Sequence, residues 1–156
     1  MGDFEVLTND TLSEQDALLV RKAREALVNA YVPYSSFPVG VSLLLGNGKI
    51  LTGTNQENAA YPSGMCAERV ALFGLAAQYP GEPIQKMVVV AQPVGSAVLA
   101  PATSCGSCRQ VMLEFEHRQS KPFEVLMLYK DNEWIKASSA QSLLPFCFGK
   151  SNLMTT

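Results

Sequence analysis

No apolar run in this 156-residue chain approaches the roughly 18 residues that a membrane-spanning helix needs, so no membrane partner is expected. The opening residues Met1-Gly2-Asp3-Phe4-Glu5 are acidic rather than apolar, and Gly2 begins no compact lipidation signal. Neither a secretory leader nor an anchor is expected, which leaves the cytoplasm as the compartment. Basic excess is also missing. Twelve Lys and Arg stand against fourteen Asp and Glu, a net charge of −2, so no positive field exists to collect phosphates. A long nucleic-acid polymer is thereby disfavoured as partner, and small ligands stay open. Repeats, low-complexity tracts and linkers are absent, so residues 1–156 are expected to form one domain. At 47% apolar and 17% charged residues, nothing biases the chain to disorder. Cysteines number only four, and in a reducing compartment they are expected as ligands or buried apolar groups rather than disulfides. The single histidine, His117, follows a charged helix end and reads as a solvated cap without a role.

What is there alternates between helical and strand patterns. Ser13-Glu14-Gln15-Asp16 reads as a helix start, with Ser13 and Asp16 able to exchange hydrogen bonds with free backbone N–H groups. Leu19, Ala23, Ala26, Leu27, Ala30 and Tyr31 then recur at three- and four-residue steps up to Pro33, which ends the helix. Val39 to Leu45 reads as a buried strand. Asn47-Gly48, where both residues tolerate positive φ, turns it back into a strand over residues 50–55. A helix is predicted over 65–78, apolar nearly all the way round and hence buried on more than one side. Met87 to Ala91 reads as a fully covered strand. After a loop come a helix over 106–116 and strands over 123–129 and 134–137, joined through Asp131-Asn132. The order predicts an α/β fold: a single mixed five-stranded sheet with helices on both faces, in three layers. Folds of this kind place ligands at strand ends, near helix N-termini.

Two segments carry the chemistry, Cys66-Ala67-Glu68-Arg69 and Cys105-Gly106-Ser107-Cys108-Arg109-Gln110, each at a predicted helix start. Cys105 and Cys108 share one first turn, so both sulfurs can reach one ion, and Cys66 can add a third thiolate from the other helix. Both helix dipoles aim their positive ends at these thiolates and favour ionisation. Three protein ligands with one open position is the arrangement of catalytic zinc. Glu68, two residues past Cys66, can face a water at that position without binding the metal, and can take and return its proton. Such a pair suits hydrolytic attack on a planar amidine carbon. By itself a Cys-x-x-Cys also fits redox dithiols and structural zinc sites; Cys-Ala-Glu at a second helix start is what favours catalysis. Cys147, between Phe146 and Phe148, reads as a packed core thiol rather than a fourth ligand.

Several motifs in order resemble the small, homotetrameric class of zinc-dependent cytidine deaminases. The resemblance rests on Tyr34-Ser35-Ser36-Phe37-Pro38-Val39-Gly40, on the ten residues from Gly53 to Pro62, on the two cysteine segments, and on Leu143-Leu144-Pro145 with Phe148-Gly149. Three thiolates beside a non-ligating glutamate are similar to the signature of zinc nucleobase deaminases. The resemblance implies Zn²⁺ on Cys66, Cys105 and Cys108, with Glu68 as the catalytic acid–base. It implies a free nucleoside substrate: Asn55 and Glu57 bond the ribose hydroxyls, in the substrate-binding stretch that also holds Tyr61. Phe37 packs on the pyrimidine, and the Ala67 N–H helps fix the base. Phe148 reaches the pyrimidine from a neighbouring subunit, so active sites are shared in a homotetramer. Arg69 donates hydrogen bonds to ligand sulfurs and drains negative charge from the site.

Two departures from the family pattern stand out. Ser104 replaces the usual Pro before Cys105, which keeps the carbonyl but loosens the turn, and Val41-Ser42 replaces smaller, more apolar residues. The expected reaction is hydrolytic deamination of cytidine and 2′-deoxycytidine in pyrimidine salvage. Rival readings are a deaminase of a modified cytosine nucleoside such as a nucleoside antibiotic, a non-catalytic zinc module that binds a partner, and a thiol-redox protein.

Overall fold

A computed structural model describes residues 4–154; the reading of Met1, Gly2 and Asp3 as neither leader nor anchor lies outside the described residues. The strands are β1 (Phe4–Thr8), β2 (Val39–Leu45), β3 (Ile50–Thr54), β4 (Ile84–Ala91), β5 (Glu124–Lys130) and β6 (Glu133–Ala137). The helices are α1 (Glu14–Ala26), α2 (Ala67–Gln78) and α3 (Gly106–Gln119). One sheet runs β1-β6-β5-β4-β2-β3, antiparallel except for the β4–β5 pair. That parallel pair needs a crossover, and α3 supplies it.

The sheet therefore has six strands, not five. The extra one is β1, which pairs Phe4–Thr8 against Glu133–Ala137 at the sheet edge. Its pattern concealed it, because Phe4 and Val6 stay exposed and only Leu7 packs against buried side chains.

Period-two alternation divides the two cores. Leu44, Val88, Val90, Leu126, Leu128 and Trp134 meet Leu19 and Ala23 of α1 on one face. Val41, Leu43, Met87, Val89, Val125 and Met127 meet α2 and α3 on the other. Each large side chain so buried contributes about 1.5–3 kcal/mol.

Three local elements differ from what the sequence pattern predicts. The first helix does not run to Pro33. It ends at Ala26, with one 3-10 turn over Leu27–Asn29, because Tyr31 turns extended: its N–H donates to the Asn55 carbonyl and its own carbonyl accepts from Glu57. Tertiary pairing has overridden helical periodicity. The β2–β3 turn has positive φ at Gly48 (82°) but not at Asn47. The Gly48 N–H donates to the Leu45 carbonyl and the Leu45 N–H donates to the Lys49 carbonyl, so this is a three-residue loop closed by a glycine bulge. Finally, β4 begins at Ile84 and α3 runs on to Gln119, where Ser120 caps it at φ 53°.

Close contact between α2 and β3 sets the site. A Cβ on Gly53 would lie 2.7 Å from the Ala71 nitrogen and 2.8 Å from the Ala67 carbonyl oxygen, so only glycine lets the first turn of α2 rest there. Strands β3, β4 and β5 run in one direction, and α2 and α3 both begin near the C-terminal ends of β3 and β4.

Candidate metal centre and substrate pocket

Cys66 and Cys105 are the N-caps of α2 and α3, both with extended backbone, and neither cap uses a side-chain hydrogen bond. Their sulfurs are left free to face each other. With Cys108, one turn into α3 and fully buried, the three Sγ atoms lie within 4.8 Å of one another. Two thiolates on one tetrahedral zinc stand roughly 3.8 Å apart, so a small closure fits all three to one ion. Soft sulfur donors, three in number, suit zinc and leave a position open. Cys147 is not part of this group. Nor is it a core thiol: it is half-buried beside Gln141, whose Nε2 stands 3.6 Å from its sulfur, while Phe146 next to it is almost wholly exposed.

The charge around the sulfurs is arranged unevenly. The Cys66 thiol is held down to about 5, first by a hydrogen bond from Cys108 and further by Arg69, which together outweigh burial. Cys108 is pushed up by the same hydrogen bond, by burial and by the negative charge of Glu68. Arg69 Nη2 donates to Cys66 Sγ at 3.6 Å, and its buried Nε has no partner. A cation held with a donor to spare against a cluster of sulfurs suits a site that gathers thiolate charge. Glu68 lies on the first turn of α2, 4% exposed.

A cavity of about 530 Å³ opens beside this centre, walled by Asn55, Glu57, Tyr61, Cys66 and Arg69 among the residues named from the sequence. Tyr34, Ser35, Gln56, Asn58, Gly64 and Met65 complete it. Gly64 and Met65 lie outside the motif segments; Gln56 and Asn58 lie within one, and Tyr34 and Ser35 within another. Their signal is Glu57: its Oε2 accepts the Tyr34 N–H at 2.9 Å and the Ser35 N–H at 3.2 Å, and Ser35 and Tyr34 hold that carboxyl below the usual range. Tyr34 and Tyr61 meet edge to face at 5.8 Å.

Asn55 has work inside the fold as well. Its Oδ1 accepts the Val39 N–H at 2.8 Å, and its Nδ2 donates to the Phe37 carbonyl at 3.0 Å, which fixes the segment that carries Phe37. One N–H of that amide remains. Phe37 is half-buried and Ala67 fully buried, neither on the wall of this cavity. Phe148 is not on the wall either, and it is 59% exposed.

The two sequence departures have distinct outcomes. Ser104 does not leave a loose turn. Its amide, which a proline would lack, donates to Met127 Sδ at 3.3 Å, its hydroxyl lies 3.5 Å from the same sulfur, and its carbonyl accepts from Arg109 Nε at 2.9 Å. Val41 lies in the core, and Ser42 donates to the Leu19 carbonyl on the α1 side, so neither lines the cavity.

Set beside known proteins, residues 13–121 match the family described as the cytidine and deoxycytidylate deaminase zinc-binding region. A cytidine deaminase of Sporosarcina psychrophila is 39% identical over 135 residues, 86% of this chain and 92% of that protein. The fold superposes on cytidine deaminase from Burkholderia pseudomallei with a TM-score of 0.69 at 38% identity, covering 88% of this chain and all of the other. Cytidine deaminase from Mycobacterium tuberculosis gives 0.68 at 28% identity, covering 88% and 99%.

Proposed function

This chain belongs to the cytidine and deoxycytidylate deaminase family, and from that premise we propose that it hydrolyses cytidine and 2′-deoxycytidine to uridine and 2′-deoxyuridine. Water adds at C4 of the base and the amino group leaves as ammonia. The observation that carries the reading is the meeting of three sulfurs within 4.8 Å at two helix N-termini, with a buried glutamate on the same first turn. Cys66, Cys105 and Cys108 hold zinc, which when bound supplies Lewis acidity and lowers the pKa of water.

Glu68 does the proton work. Its carboxylate takes a proton from the attacking water and passes it to N3 of the base, then takes the proton of the new C4 hydroxyl and delivers it to the departing amino group as the C4 carbonyl forms. Burial at 4% exposure keeps bulk water from competing for that proton. The Ala67 N–H, free at the first turn of α2, donates to the base. Phe37 packs on the pyrimidine face, held by Asn55. The remaining Asn55 N–H and Glu57 Oε1, which takes neither backbone bond, meet the sugar hydroxyls, with Tyr61 at the rim.

The whole of residues 1–156 forms one catalytic domain acting in pyrimidine salvage in the cytoplasm, where thiolate ligands stay reduced. Four copies assemble with shared sites, Phe148 of one reaching the pyrimidine in another. Exposed Phe73, Phe146 and Phe148 support that assembly.

The test is turnover of cytidine with ammonia release by zinc-loaded protein, against Glu68→Gln. Zinc content should be unchanged and the rate should fall by at least about 10²-fold. A variant keeping a third of wild-type activity removes Glu68 from this role.

A further inference from the structure

The C-terminal segment from Ala140 to Phe148 has one 3-10 turn, Gln141–Leu143, and no strand to hold it. Side chains of α3 hold it instead. The Glu116 carboxylate accepts the backbone N–H of Ala140 at 2.7 Å and of Gln141 at 3.2 Å. Arg109 Nη1 donates to the Leu143 carbonyl at 3.4 Å while its Nε holds the carbonyl of Ser104, in front of Cys105. Gln110 Nε2 donates to the carbonyl of Phe148 at 2.7 Å, as short as the Glu116 bond to Ala140. Phe148 thus has its backbone fastened and its ring 59% exposed. An exposed, flexible tail would lose rotational and backbone freedom on meeting a ligand; fastening it in advance reduces that cost.

We infer that Gln110 is the positioning residue that presents the Phe148 ring, so the helix that carries two sulfurs of one site also sets the aromatic cap offered to another. This rests on the proposed reading of Phe148 as a contact to the pyrimidine in a neighbouring copy. Gln110 touches no substrate itself. It acts by fixing one carbonyl relative to the first turn of α3, two residues beyond Cys108. The effect belongs in binding, not in the chemical step: the acid–base group and the sulfurs stay where they are when the Gln110 amide is lost.

The experiment is a double-mutant cycle on the zinc-loaded assembly, reading kcat and KM for cytidine, the Kd for uridine by calorimetry, and zinc content. Gln110→Leu should raise KM and Kd by about three- to tenfold, the range of one neutral hydrogen bond, with kcat and zinc within twofold of wild type. Phe148→Ala should raise the same two constants, and the double variant should be no worse than Phe148→Ala alone. Gln110→Lys, which restores an N–H donor, should recover most of the loss. If Phe148→Ala weakens binding while Gln110→Leu does not, or if the two effects multiply, the inference is overturned and the aromatic contact survives. If Phe148→Ala leaves KM and Kd untouched, the aromatic contact falls and the inference falls with it, while cytidine turnover stands.

Discussion

The guanidinium of Arg69 reaches back one turn of α2 to the sulfur of Cys66, 3.6 Å away, and with its Nε buried and unpartnered it has a second donor facing inward. Three thiolates on one divalent cation leave a negative site and a weaker Lewis acid, and a hydrogen-bonded cation withdraws part of that charge. Arg69→Gln should therefore keep most of the zinc and slow turnover by roughly 10- to 100-fold. Cys66→His in the Arg69→Gln background, which replaces a charged ligand by a neutral one, should restore part of the rate. Normal turnover in Arg69→Gln would remove the charge-withdrawal argument.

The four cysteines separate by position. Cys66→Ala, Cys105→Ala and Cys108→Ala should each lose zinc and activity, because their sulfurs form the one cluster of this kind among the described residues. Cys147→Ala should keep both, its thiol lying beside Gln141 and outside that cluster. Metal analysis of the four purified variants decides the matter. Zinc retained without Cys66 and lost without Cys147 would mean that the third ligand was misassigned.

Much of the site was legible because its chemistry is carried by local spacing. Cys66-Ala67-Glu68 and Cys105 with Cys108 predict two helix starts, and both cysteines at position one are N-caps in the structure. Strands β2 and β4 were legible from continuous burial on both faces. Strand β1 was not, because its alternating Phe4 and Val6 are exposed and only Leu7, out of phase with them, meets the core, so five residues carry no buried-face pattern. The early end of α1 was hidden for a different reason: Ala30 and Tyr31 continue the helical spacing, yet Tyr31 exchanges backbone bonds with Asn55 and Glu57, 24 and 26 positions later. Pocket walls at Tyr34 and Ser35 depend on that same long-range pairing, and spacing alone contains no record of it.

A buried ion pair anchors α1 to the sheet. Asp16 on the first turn of α1 and Lys86 on β4 are 2% and 7% exposed, and Lys86 also meets Glu124 at 2.8 Å. Burial alone would raise the Asp16 carboxyl, but hydrogen bonds from Lys86 and Ser13 outweigh it and leave it below the ordinary 3.8. A lowered folded value means stability that is present in full above pH 3.8 and lost as pH falls through the folded value. Asp16→Asn removes this titration, so the expected result is a flatter stability curve below pH 4 than in wild type. Lys86→Met should cost about 3–5 kcal/mol at pH 7, because it leaves Asp16 buried and unpaired. Denaturant melts at pH 3 to 7 read both effects, and an unchanged acid limb in Asp16→Asn would show that the pair carries none of the pH dependence.

One side of α2 covers the sheet through Ala67, Ala71, Leu72 and Leu75, yet Phe73 on the same helix is 47% exposed and Phe148 59%. Apolar rings left open in one chain are covered at low cost by copies of that chain in a closed symmetric oligomer. The protein should sediment as four chains of 16.9 kDa each. Mixing then tests whether sites are shared. Subunits inactive through Glu68→Gln still carry Phe148, and subunits carrying Phe148→Ala still have Glu68. Co-assembled, some sites combine an intact Glu68 from one with an intact Phe148 from the other. Such hybrids should turn over cytidine with a lower KM than the Phe148→Ala assembly, although neither parent has both groups. A KM identical to that of the Phe148→Ala parent in verified hybrids, or a fully active monomer at assay concentration, would sink the shared site and leave the zinc chemistry to a single chain.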